Sequence, residues 1–169
     1  GDDDPGGDEA PPGDYDSYYW GDEDPPGPLT VGSIPTFEVA TWNLWNFPHS
    51  TQTVSELSEV IVDMRIDLIA VQEIADIDDF DDLLVNLPEH NGLLTPHTYW
   101  DGSYQKTGFI YRTATMQLGA HGQILTGDSY AFPRPPYQAT FTLEQHDFTS
   151  VELVAIVVLP VPGDAAPGG

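Results

Sequence analysis

The sequence predicts an α/β fold in which a mixed sheet carries helices on its face, set behind an acidic tail. Three observations predict it. Two apolar runs, Phe37–Asn43 and Leu68–Gln72, bracket a helical pattern, the strand–helix–strand unit of parallel strands joined by a right-handed crossover. A second helical stretch follows, after which the pattern turns to strands alone, which implies a mixed sheet rather than a fully parallel one. Residues 1–28, by contrast, are Asp, Glu, Gly or Pro at 22 of 28 positions.

Ten acids and six prolines in that first segment cannot bury enough apolar surface to offset the entropy of ordering, so residues 1–36 are expected to be a disordered spacer. Asp2-Asp3-Asp4 and Asp22-Glu23-Asp24 offer oxygen ligands for calcium, but the spacing of an EF-hand loop is missing. The first strand is Phe37–Asn43. Thr53 with Glu56 three residues on makes a capping box, and Val54, Leu57, Ile61 and Met64 share one helical face. Asp67 opens a second strand, Leu68–Gln72, whose near-continuous apolar character suits burial on both sides.

The second helix is expected over Ile77–Leu87. Phe80, Leu83, Leu84 and Leu87 form its stripe, acids crowd its first turn, and Pro88 ends it. Strands then follow at Thr107–Arg112, Met116–Leu125, Tyr137–Leu143 and Val151–Leu159, with a turn at Gly127-Asp128 and another near His146-Asp147.

Charge limits the function classes. Against 28 acids stand four bases, for a formal charge of -24, so binding of a polyanion through a basic patch is excluded and any such substrate needs bridging cations. With no cysteine there is neither a disulfide framework nor a thiolate metal site. The longest apolar stretch, Leu153–Leu159, is far short of the ~20 residues that cross a bilayer. The chain starts with Gly and shows no signal peptide, as expected of a processed or trimmed product. The tail's composition resembles the spacers of bacterial secreted or surface-anchored proteins, which gives an extracellular or cell-surface expectation.

Asn43 and Glu73 are the candidate site. Each closes an apolar run, and parallel strands present their C-terminal ends at one rim, where open α/β proteins place ligands. A carboxamide and a carboxylate brought together there suit a divalent metal or a phosphate. The plain structural alternatives are a strand-end carboxylate bonded to backbone for Glu73 and a turn-forming cap for Asn43.

Ala40-Thr-Trp-Asn43-Leu, Asp67-Leu-Ile-Ala-Val-Gln-Glu73 and Lys106-Thr-Gly-Phe-Ile-Tyr-Arg112, in this order and spacing, resemble the endonuclease/exonuclease/phosphatase superfamily, whose pancreatic-deoxyribonuclease-like members are hydrolases. The resemblance runs from Phe37 to Leu159. It implies the N-terminal half of a four-layered α/β/β/α sandwich with mixed sheets, with residues 160–169 an irregular C-terminal tail. It implies that Glu73 binds catalytic Mg2+ (or Ca2+ or Mn2+) and that Asn43 orients metal or substrate phosphate. The implied partner is nucleic acid or another phosphodiester, bridged by the cation. A hard dication takes carboxylate oxygen and water and stabilises charge growing on a phosphoryl oxygen.

The departures matter equally. The family places a histidine near the position of Leu159, then an Asp–Asn pair and an Asp–His pair, and none of these follows here. His49, His90, His97, His121 and His146 are expected in ordinary structural or surface roles, His49 being the one whose loop borders the rim. Absence of a positioned base removes ~10²–10⁴-fold of rate by itself. A truncated or frameshifted phosphodiesterase of nuclease type with little or no activity is therefore expected. A non-catalytic secreted binding module and an unproductive gene fragment are the alternatives. Lys106 and Arg112 are expected in ion pairs, Trp42 in the core, Trp45 in packing or against a substrate base, and Arg134 is given no chemistry.

Overall fold

The computed structural model describes residues 37–143 and 151–157. The elements are β1 (Val39–Phe47), α1 (Thr53–Met64), β2 (Leu68–Ile74), α2 (Ile77–Val85), β3 (His90–Leu94), β4 (Lys106–Arg112), β5 (Met116–Gln123), β6 (Tyr137–Leu143) and β7 (Val151–Val157). β1 and β2 pair in parallel, as the strand–helix–strand pattern requires. β4 joins β2 antiparallel and β3 joins β4, giving a mixed sheet in the order β1-β2-β4-β3. β5, β6 and β7 form a second, antiparallel sheet.

Side-chain alternation sorts the apolar residues into two cores. Ile69, Val71 and Ile110 face the helices, where Leu57, Ile61, Phe80 and Leu83 cover them. Leu68, Phe109 and Tyr111 face the second sheet and pack on Met116, Tyr137, Ala139 and Phe141. The ring of Tyr111 lies 5.2 Å from that of Phe141. β2 is thus buried on both faces, which is why its sequence reads as a nearly unbroken apolar run. The described residues make three layers, helices on a mixed sheet on an antiparallel sheet. Among them no helix is long and apolar enough to cross a membrane.

Several expectations are corrected. β1 runs on to Phe47, and α2 stops at Val85 rather than Leu87. The Thr53–Glu56 capping box does not form: Thr53 is the first residue of the helix, the cap position falls to Gln52, and Thr53 Oγ1 accepts the Ser50 amide at 2.9 Å instead. α2 has the cap that α1 lacks: Asp76 accepts the amides of Asp78 and Asp79. β3 is an additional strand. The expected tails at 1–36 and 160–169, the turn at His146 and the position of Leu159 lie outside the described residues.

Candidate functional site

At the C-terminal rim of the first sheet both parallel strands break step together. Ala40, Trp42 and Leu44 alternate onto the helix-side core, yet the next residue there is Phe47, so β1 carries an insertion. On β2, Val71 and Ile74 both face the helices, again one residue more than alternation allows. The register records it: Asn43 pairs with Gln72, and the next pair is Phe47 with Ile74. Three of the intervening residues hold left-handed backbone, Trp45 (φ 44°), Asn46 (φ 57°) and Glu73 (φ 62°). For non-glycine residues such backbone is costly, and it concentrates at functional sites.

The two predicted site residues touch where the strands break step. Asn43 Nδ2 donates to Glu73 Oε1 at 3.0 Å, and Asn43 Oδ1 accepts the Trp45 amide at 2.9 Å. The carboxamide is therefore fixed at both ends, which also fixes its orientation. Glu73 keeps its second oxygen without a hydrogen-bond partner among the described residues, and its side chain is only partly buried. Gln105, just ahead of β4, donates to Asn46 Oδ1 and ties the bulge to the neighbouring loop.

A carboxylate with one lone oxygen facing solvent fits a hard cation that keeps most of its water, as Mg2+ does. It does not fit an all-protein cage. Among the described residues no group of three His, Cys, Asp or Glu side chains converges on one point.

The bases take other roles. The ion-pair expectation holds for Arg112, which lies 3.8 Å from Asp67 and 3.6 Å from Glu89. It fails for Lys106. That side chain is 4% exposed and donates to the carbonyls of Thr95 (3.1 Å) and His97 (2.9 Å), with its ammonium 4.7 Å from the centre of the Tyr104 ring. Lys106 pairs with Ile74 at the rim, so its buried charge pins the 95–105 loop beside the site. Burial lowers its pKa from the ordinary lysine value.

Of the remaining candidates, Trp42 packs partly buried on the helix-side core, as expected. Trp45 does not pack into it. It is 63% exposed, with the His49 ring 4.5 Å from its own. His121 bonds Tyr137 Oη at 2.9 Å within the second sheet and makes no hydrogen bond to Asn43 or Glu73. Arg134 sits over the Tyr99 ring. Sequence reasoning missed the bulges, Asn46 and Gln105; paired polar residues at two strand ends do not announce an inserted residue.

No protein-family model matches the chain, and no curated protein matches it in sequence. Solved structures match it in fold. D. rerio TDP2 complexed with a single-strand DNA product aligns at TM-score 0.57 and 12% identity, over 76% of this chain and 48% of that one. An endonuclease/exonuclease/phosphatase family protein from Bacteroides thetaiotaomicron aligns at 0.54 and 13%, over 71% and 49%. A mannosyl-6-phosphatase of the same organism aligns at 0.54 and 14%, over 72% and 50%. The chain spans about half the length of each of these structures, and the shared part is half of the endonuclease/exonuclease/phosphatase fold.

Proposed function

We propose that this chain contributes the cation-binding part of a divalent-metal-dependent phosphodiesterase site of nuclease type. The observation that carries the reading is the Asn43–Glu73 contact at a doubly bulged, strained rim. Glu73 holds the cation through its unpaired oxygen, with Mg2+ as the physiological ion and Mn2+ or Ca2+ as substitutes. Asn43 fixes the carboxylate's orientation. When bound, the cation supplies Lewis-acid stabilisation of charge on the phosphoryl oxygen. The likeness to a DNA-bound TDP2 supports nucleic acid as the polymer, although the same fold serves a mannosyl-6-phosphatase, so fold alone does not choose the substrate.

Among the described residues no histidine is hydrogen-bonded to Asn43 or Glu73. His49 stacks on Trp45 at the surface, and His90 and His97 are partly buried in and beside β3. We therefore propose that the 169 residues alone bind the cation but hydrolyse phosphodiesters weakly or not at all. The extracellular or cell-surface location is likewise proposed, on the composition of the tail.

Plasmid nicking with Mg2+ tests both halves. Trace nicking abolished by Glu73→Gln, or divalent binding without nicking that Glu73→Gln removes, supports the reading. Nicking that persists in Glu73→Gln, or partner binding indifferent to divalent cations, overturns it and favours a binding module.

A further inference from the structure

We infer that Trp45, backed by His49, is a stacking platform for an unpaired nucleobase beside the phosphodiester at Asn43 and Glu73, so that the substrate is single-stranded nucleic acid. The inference rests on the site reading above and adds its substrate class.

Placement is the first support. Trp45 stands two residues beyond Asn43, and its backbone amide is bonded to the Asn43 carboxamide, so the platform and the site share one rigid piece of backbone. Conformation is the second. A bulky aromatic at φ 44° is a strained choice, and the strain here turns a large apolar side chain out of the core while Trp42 and Leu44 pack inward. With 63% of Trp45 exposed and the His49 ring tilted 34° against it, the indole is held in place and still has open surface for a planar ligand.

Charge is the third. The chain has four Lys and Arg. Lys106 is spent on carbonyls, Arg112 on Asp67 and Glu89, and Arg134 on Tyr99. Arg65 caps the C-terminal end of α1, at the opposite end of the sheet from the rim. A polyanion therefore gains little from basic side chains and must be held by the cation and by contacts indifferent to charge. Base–aromatic stacking is such a contact, and it requires a base that is not already paired and stacked in a duplex.

The test is fluorescence-anisotropy titration of the full chain in Mg2+ with a short fluorescein-labelled oligothymidylate and an abasic oligomer of equal length and charge. The wild type is expected to prefer the base-bearing oligomer, and Trp45→Ala to weaken that binding about 5- to 100-fold while leaving abasic binding unchanged. Trp45→Phe, which keeps a ring, is expected to retain most of the preference, and His49→Ala to lose part of it. Equal binding of the two oligomers by the wild type, an unchanged preference in Trp45→Ala, or no binding of either oligomer overturns the inference. Glu73→Gln separates the two readings: loss of Mg2+ dependence with the base preference intact leaves both standing, whereas Mg2+ dependence unaffected by Glu73→Gln removes the site reading alone.

Discussion

Asn43 and Glu73 lie thirty residues apart in the chain and touch, amide nitrogen to carboxylate oxygen, at 3.0 Å. Alternation alone puts Asn43 on the face away from the helices but would turn Glu73 toward them; the bulge in β2 puts Ile74 on that face instead and leaves Glu73 to meet Asn43. Groups that orient a metal-binding carboxylate typically change cation affinity by about 10- to 100-fold when removed. Asn43→Ala is therefore expected to weaken Mn2+ binding by about 10-fold in a calorimetric titration, with the fold unchanged by circular dichroism. Unaltered affinity would show that the carboxamide only decorates the rim.

The left-handed backbone at Glu73 implies a stability cost. Glycine adopts φ 62° without that cost, which for other residues is about 1–3 kcal/mol, partly offset by glycine's greater freedom when unfolded. Glu73→Gly is thus expected to stabilise the fold by about 1 kcal/mol in denaturant unfolding while losing cation binding. A destabilised variant would mean that the Asn43 contact outweighs the strain.

His90 gives the stability curve its expected acid limb. Both of its ring nitrogens are buried without a hydrogen-bond partner among the described residues. Burial, then the Arg112 charge, lowers its pKa from the ordinary 6.5. His97 shifts the same way, through burial and then Lys106 and Arg134. The unfolded chain takes up protons that the folded chain refuses, so their contribution is full above 6.5 and is lost as pH falls through that value toward the folded pKa. Thermal midpoints should begin to drop as pH falls through about 6.5, and His90→Phe should flatten the drop. An identical drop in His90→Phe assigns the limb to other groups.

Gly108 of β4 pairs with Leu94 of β3 and leaves no room for a side chain. A β-carbon there would collide with the Leu93 carbonyl oxygen and stand 2.7 Å from Leu94 Cδ2. Backbone cannot yield as a side chain does, so Gly108→Ala is expected to destabilise by about 2–3 kcal/mol in urea unfolding. A loss below about 0.5 kcal/mol, the size of an ordinary surface change, would mean that β3 shifts to make room for the added methyl.

Much of the fold was legible because burial writes itself into sequence. The helical face of Val54, Leu57, Ile61 and Met64 and the two-sided run of β2 are direct records of what those elements pack against. β3 was not legible. His90-Asn-Gly-Leu-Leu is short, has no clear alternation and contains a dipeptide that elsewhere makes turns; it is a strand because β4 offers it an edge. The Lys106 ion pair failed for a similar reason. Its partners are carbonyls placed by tertiary structure, and a backbone acceptor leaves no trace in the identity of Thr95 or His97. The pairing of Asn43 with Glu73 follows from topology, but the bulges and the outward turn of Trp45 are backbone events that residue types alone do not specify.

Paramagnetic NMR tests the cation site most directly. With Mn2+ added to the full chain, the side-chain amide signals of Asn43 and the indole and backbone amide signals of Trp45 should broaden first, with Mg2+ competing the effect away. Glu73→Gln should leave those signals sharp. If they broaden as readily in the glutamine variant, or if broadening begins at the Asp76–Asp82 acids of α2 instead, no dication sits between the paired strand ends and the phosphodiesterase reading fails with it.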